Sequence, residues 1–542
     1  MGKVPKDLSK PKSHGMRKLS AIYDPPVSFD RITDYVSHYA SMTPQAEAAV
    51  CADIRLSYRE LSDQVDAIAK ALIASGVRAG DRVATLSPPN PDFLVIFLAS
   101  ASVGAIWLGL DPRYQEEELK YIIGDAAPAL LFSRTEVNGR QFSGELTALK
   151  SGFAQLPLVQ LDVCGTSAIG ESFKDFIARG LSISSEDLGR VKSAVTSQDP
   201  ALIVYTSGTT GQPKGALLAH RGLVRCSRVQ AGLVQPIPLR MLNNLPISHL
   251  GCIGDISCYT LVSGGTVVFA EKFDPRGTLA IIQRERITLW GQLPTMFQLC
   301  LSVDDFANYD LSSIKTIFWS GAAAPLPLIL RLKEICPTLC CSYGLTETVG
   351  SVTFAVGTDD LDVLTNSVGW PVEEYEVRIS NSAGHEVAPG ETGEIQVRGD
   401  FIMKGYWNRP EATEQTIDSA GWLHTGDLAR SRPDGTFQLV GRMKEMYKSG
   451  GYNVYPREIE PVIEACAGVA MCAVVGVPDE IYGEVGHAYV LVEDESVVTS
   501  DDLREHCRRH LANYKIPKAF SISTSLPMLP NGKIDKNSLR NQ

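Results

Sequence analysis

The stretch YTSGTTGQPKGA, residues 205 to 216, sets Ser207, Thr209 and Thr210 among Gly208, Gly211 and Gly215, with Lys214 close behind. Glycines let backbone N–H groups approach an anion closely, and successive N–H groups form a concave nest. The hydroxyls add donors and Lys214 adds a positive charge, so the chemistry suggested is phosphate binding. This is not the nucleotide-loop spacing in which Ser or Thr follows the lysine, because Gly215 does, and it is not GxGxxG either. On composition alone the stretch also reads as an ordinary turn.

Four later stretches carry charges beside glycines. YGLTE, residues 343–347, ends on Glu347, and GWLHTGD, residues 421–427, ends on Asp427. GRMKEMYKSGGYNVYPREIE, residues 441–460, carries Arg442, Lys444 and Lys448, and LPNGKIDK, residues 529–536, carries Lys533. Taken singly, Glu347 reads as a surface acid, Asp427 as a turn cap and Lys533 as an exposed lysine.

These residues need a scaffold, and the apolar pattern supplies one. Ser57 to Glu60 forms a capping-box signature, after which Leu61, Val65, Ile68 and Leu72 fall on one helical face until Gly76. Short apolar runs such as ALIVY, GTVVFA, ITLWGQL and KTIFWSG alternate with helix-length segments, the pattern of sheets covered by helices on both faces. The stretch after Ala216 reads as helical. Phe93 to Leu110 lacks charge over eighteen residues, but Ser100, Gly104 and the stop at Asp111-Pro112 favour a buried helix running into a buried strand. Past Gly441 the texture changes: a helix opened by Glu458, two strands, the helix SDDLREHCRRHL and the strand AFSISTSLP form an α+β unit. The charges and glycines between the two parts suit a hinge. The expected fold class is α/β, a large N-terminal domain with helix-covered, mainly parallel sheets plus a small mobile C-terminal α+β domain.

Composition excludes several classes. The chain has 542 residues, 44% hydrophobic and 21% charged, which is globular and long enough for more than one domain. A net charge of −11 without a Lys/Arg stripe argues against nucleic acid as partner. The 12 cysteines lack CxxC spacing, and even Cys336, Cys340 and Cys341 read as buried reduced thiols of a cytoplasmic protein rather than metal ligands. The first residues are basic without an apolar core, so no secretory signal is expected, and Lys6 spoils a myristoylation motif.

Taken together and in this order, the five motifs resemble those of the adenylate-forming superfamily, which comprises acyl-CoA synthetases, peptide-synthetase adenylation domains and beetle luciferases. The resemblance spans over three hundred residues. It implies that ATP and a carboxylate form an acyl-adenylate and pyrophosphate. Thr209, Thr210 and Lys214 would hold the β- and γ-phosphates, within a nucleotide-binding set that includes Thr206, Ser207, Gly208 and Gly211. Glu347 would hold Mg²⁺, and Thr346 would donate to the α-phosphate. Tyr343 and Gly344 would line the adenine slot with Gly321 and Ala322, and Ala323 and Ser342 belong to the same cofactor-binding set. Asp427 would take the ribose diol and Arg442 would reach the same sugar. Lys533 would meet the substrate carboxylate and the α-phosphate.

The resemblance further implies a tail over 1–25, an AMP-binding domain over 26–441, and a mobile domain over 442–542 that swings about a hinge at Lys444. Its second face would carry Lys448, Gly450 and Gly451, with Gly451 leaving room for a pantetheine arm. Coenzyme A is the expected acceptor and a carrier-protein arm the alternative. His249 stands where an amino-acid-activating enzyme would have an Asp, so an amine-free lipophilic acid (aryl, alicyclic or alkyl) is expected, with a core histidine as the alternative reading. Ser248 and Ala322 depart from the common pattern and leave chain length and ring preference open. A non-catalytic scaffold would have lost Lys533, Glu347 or the phosphate loop. The expected partners are the small-molecule acid alone, with no nucleic acid and no membrane insertion, in a monomer or homodimer.

Overall fold

A computed structural model describes residues 18–22, 27–163, 169–206, 212–492, 498–528 and 534–540. Ser207, Gly208, Thr209, Thr210, Gly211 and Lys533, and most of the basic tail, lie outside the described residues.

Two large sheets form the body. The first has nine strands, and six of them run parallel from Leu339–Leu345 across to Glu47–Cys51. The second has eight, parallel except at one end, where Lys214–Ala219 and Gly405–Tyr406 run antiparallel. Between the sheets lies the helix Pro91–Ser102, in which every residue but Asp92 is buried. It touches strands of both sheets, so no face of it needs to be polar. Its hydroxyls are satisfied locally, Ser100 donating to the Ile96 carbonyl at 2.7 Å and Ser102 to that of Ala99 at 2.8 Å. This resolves the uncharged stretch as a core helix leading into the strand Ile106–Leu110. No described helix is long and apolar enough to cross a membrane.

Local signals are realised where they were strongest. The helix Tyr58–Ala74 starts on a capping box, Ser57 Oγ accepting from Glu60 N at 3.2 Å and Glu60 Oε2 accepting from Ser57 N at 2.8 Å. Its Leu61, Val65, Ile68 and Leu72 are buried. The expected helix after Ala216 is displaced, because Lys214–Ala219 continues as a strand and the helix is His220–Leu233. Four of the six residues of KGALLA are buried, and pairing with a strand on each side wins over local helix propensity.

Two further differences concern the chain past residue 370. An antiparallel four-stranded sheet, Glu376–Ser380, Gly393–Arg398, Leu423–Ser431 and Phe437–Arg442, closes what the sequence suggests is a uniform α/β body. Beyond it stands a second antiparallel sheet built on Val469–Asp479 and Gly483–Val492, with Ala519–Ser523 parallel at its edge. The helix expected to open at Glu458 runs Pro456–Glu464, because proline fits the first helical turn, and it buries Ile459 and Ile463. Every described cysteine but Cys466 is buried, with no disulfide, and no metal-holding group occurs among the described residues.

Candidate active site

The glycine-rich stretch joins two antiparallel strands, Pro200–Thr206 and Lys214–Ala219, with Thr206 paired to Lys214. Both residues therefore stand at the mouth of the loop whose middle lies outside the described residues. Gly215 is required here for space, since a Cβ on it would lie 2.8 Å from Ile203 Cγ2.

Glu347 comes to the same mouth from the other sheet. Its Oε1 accepts from Tyr406 OH at 2.8 Å and from Thr206 Oγ1 at 3.5 Å, and its backbone carbonyl takes Met403 N at 2.9 Å. Tyr406 sits on the edge strand paired to Lys214–Ala219, where the Lys214 ammonium lies 5.2 Å over its ring. Burial first, and then the Glu347 carboxylate, push the Tyr406 phenol far above its ordinary value, so it stays a neutral donor. Lys444 completes the group. Desolvation lowers its pKa, the nearby Lys214 and Arg442 cations lower it further, and Glu347 opposes them. An acid, two lysines, a threonine and a tyrosine thus meet from both sheets and the segment after the last body strand. Lys444, its charged form disfavoured by burial and by the Lys214 and Arg442 cations beside it, makes this a site prepared for an anion. One carboxylate beside anion-binding groups is also the donor set that suits Mg²⁺ shared with phosphate oxygens.

A second group is built around Asp427. Asp427 and Arg442 face each other across paired strands, Arg442 Nε donating to Oδ1 at 2.8 Å, while Tyr343 OH donates to Oδ2 at 2.7 Å. The Asp427 side chain is 7% exposed. Each oxygen keeps a lone pair, so the carboxylate can accept further donors from a diol. The turn leading to it is held by Glu394, which accepts from Gly426 N at 2.9 Å and pairs with His424 Nδ1 at 2.7 Å. Tyr343 belongs to Leu339–Leu345, and beside it Gly344 lies so near the next strand that a Cβ would come within 2.0 Å of the Gly350 carbonyl oxygen. Ser342 is buried and shares a 2.7 Å hydrogen bond with Ser351.

Gly321, Ala322 and Ala323 follow the carboxyl end of Thr316–Trp319 and are exposed, with Gly321 at φ +80°. That is where open parallel sheets receive ligands. Thr346 is partly exposed in the turn between Tyr343 and Glu347, its carbonyl accepting from Val349 N at 2.9 Å. His249 is exposed rather than a core residue, and its Nδ1 accepts from Gly251 N at 3.0 Å, which leaves the ring proton on Nε2.

Lys448, Gly450 and Gly451 stand in a different element, the hairpin of Tyr447–Ser449 and Tyr452–Val454. Its partners are Tyr482, whose carbonyl accepts from Gly450 N at 2.9 Å, and Glu484, which accepts from Lys448 N at 3.0 Å. Gly451 has φ +86° with open space around it. Glycine is therefore demanded here by the backbone, not by a neighbouring group of the chain. The residues around Lys533 are bracketed by a Met528–Ile534 bridge, and Lys536 is held by Glu445 at 2.7 Å and Glu460 at 2.8 Å.

Sequence reasoning missed Tyr406, 59 positions from Glu347, and placed Lys444 at a hinge without its neighbours. The aromatic pair in GYWNRP beside glycine was the one available signal.

Residues 36–407 match the family model described as AMP-binding enzyme, and residues 458–533 that of the AMP-binding enzyme C-terminal domain. A feruloyl-CoA synthase of an Amycolatopsis species is 36% identical over 503 residues, covering 92% of this chain and 96% of its own. A Rhodococcus jostii ligase that joins CoA to a methyl-dioxo-octahydroindenyl propanoate is 34% identical, covering 90% and 94%. Among solved structures, an amide bond synthetase of Marinactinospora thermotolerans superposes with a TM-score of 0.83 at 28% identity, covering 94% of this chain and 99% of that one.

Proposed function

The chain belongs to the AMP-binding enzyme family, and on that premise we propose that it is an AMP-forming carboxylic acid–CoA ligase. A carboxylate oxygen attacks the α-phosphorus of ATP, the bond to the bridging oxygen breaks, and pyrophosphate leaves with the electron pair. The CoA thiol then gives up its proton and attacks the acyl carbonyl, and AMP departs. The one observation that carries this reading is the convergence of Thr206, Lys214, Glu347, Tyr406 and Lys444 at the glycine-rich mouth.

In this reading Lys214 and Thr206, with Ser207, Thr209 and Thr210, grip the β- and γ-phosphates. Glu347 is the residue that would hold Mg²⁺, which when bound neutralises phosphate charge. Tyr406 fixes the free rotation of that carboxylate by donating to one of its oxygens. Asp427, aligned by Tyr343 and Arg442, takes the ribose hydroxyls, and Thr346 donates to the α-phosphate. Lys533 neutralises the charge that develops as two anions meet. The part from about residue 442 onward then turns about Lys444 and brings Lys448, Gly450 and Gly451 to the pantetheine arm.

The substrate is a lipophilic carboxylic acid, and in this reading the exposed His249 borders it. The partners are small molecules, and the buried reduced thiols suit a cytoplasmic enzyme. The test is acid-dependent exchange of labelled pyrophosphate into ATP, followed by acyl-CoA formation, across aryl, alicyclic and alkyl acids. Exchange with thioester formation is expected for at least one class, and a panel without exchange would end the reading.

A further inference from the structure

Immediately after His249 and Leu250 the chain forms a π-helix, Gly251–Cys258, a wide turn that is rare and concentrates at functional sites. Gly251 and Gly254 permit it to sit tightly, since a Cβ on them would lie 3.1 Å from His249 Nδ1 and 2.8 Å from Leu250 Cδ1. Of its residues only Asp255 is charged, and only Asp255 is not fully buried.

Among the described residues no hydrogen bond or ion pair reaches that carboxylate. Gln230 Nε2 donates instead to the Asp255 backbone carbonyl, at 3.3 Å. The groups facing the side chain are the Cys226 thiol from the helix His220–Leu233, the Cys258 thiol of its own helix, and Gly350. A Cβ on Gly350 would lie 3.1 Å from Asp255 Oδ1. Gly350 pairs with Leu345, so the carboxylate abuts the strand that carries Tyr343 and Gly344 and the turn that carries Glu347. Burial pushes its pKa up to about 7. A desolvated acid with no partner in the fold is a liability unless something supplied from outside meets it.

We propose that Asp255 selects the substrate, accepting a hydrogen bond from a hydroxyl or amine at the end of the acid remote from its reacting carboxylate. The polarity of the arrangement follows from charge, because two carboxylates repel and the reacting one must face away from Asp255. The proposal rests on the ligase reading and narrows its substrate class to acids that are lipophilic in the middle and carry a donor at the far end.

The test compares matched acids with and without that donor: cinnamate against 4-hydroxy- and 4-aminocinnamate, 3-cyclohexylpropanoate against its 4-hydroxy form, and decanoate against 10-hydroxydecanoate. In the native enzyme kcat/KM should favour the donor-bearing member of the accepted skeleton by at least about tenfold, because a buried acceptor rejects a ligand that leaves it unpaired. Asp255→Leu should bring the ratio to about one or below while keeping turnover of the plain acid, and the isosteric Asp255→Asn should fall between. A native ratio near one, or a ratio that survives both substitutions, overturns the proposal and leaves the ligase reading intact. Turnover of no acid at all sinks the ligase reading, and the proposal with it. The hydroxyl and amine arms separate the two donors.

Discussion

Asp427 and Lys444 lie on consecutive parts of the chain and are held in opposite ways. Asp427 sits inside a paired strand with one donor on each oxygen, from buried Tyr343 and cross-strand Arg442. Its geometry is set before any ligand arrives. Lys444 follows the last strand of the body among cations that repel it. Ion pairs are part of what ties the body to the chain beyond: Arg430 of the body pairs with Glu458, and Lys536 reaches back to Glu445 beside Lys444. Charges can exchange a protein partner for water at small net cost, which an apolar seam cannot do. The contrast suits the proposed division between a fixed nucleotide seat and a part of the molecule that turns.

The hardest test of that contrast is Lys533→Ala. It should slow adenylation by about 10²–10³-fold, the usual loss for one preorganised donor at developing charge. The conversion of presynthesised acyl-adenylate and CoA should stay near normal, and equal loss of both steps would erase the division between seat and moving part. Asp427→Ala should raise the KM for ATP by about tenfold or more, the loss of a charged hydrogen-bond acceptor, with little change in the KM for CoA. Lys444→Pro should do the reverse of Lys533→Ala, leaving pyrophosphate exchange intact and reducing thioester formation by about tenfold, because proline fixes the backbone where the turn is expected. Full thioester synthesis in that variant would place the pivot elsewhere.

The smallest effect is thermodynamic and concerns Asp255. Its carboxyl is raised by burial to about 7, against about 4 in an unfolded chain. Between those values the folded form holds a proton that the unfolded form has lost, so this group removes stability as the pH rises through that window. The groups facing it are thiols and a glycine, so nothing charged offsets the effect among the described residues. Asp255→Asn should therefore raise the thermal midpoint more at pH 8 than at pH 5. An equal shift at both would mean the acid is already paired.

What the sequence made legible was local. The Ser57–Glu60 cap, the uncharged core helix and the glycine-rich mouth all depend on residues within a few positions of one another. Glu347 and Asp427 could be singled out because each stands in a motif. Tyr406 could not, because its hydrogen bond to Glu347 exists only once an edge strand of one sheet meets a turn of the other. The antiparallel sheet ending at Arg442 was hidden for a related reason: short strands with half-buried faces look alike whichever direction their neighbours run. Asp255 carried no spacing signal, since the widened turn that aims it is a property of packing around two glycines.

The helix Pro91–Ser102 imposes an order on biosynthesis. It has no side that water can wet, yet the last strands of the nine-stranded sheet that shelters it, around Gly350–Ala355, leave the ribosome about 250 residues later. At roughly 5–20 residues per second that is a wait on the order of tens of seconds. Throughout it a greasy cylinder must be shielded by the early strands of the smaller sheet or by a chaperone. A chain released before residue 350 is accordingly expected to stick to its neighbours rather than persist as a half-built monomer.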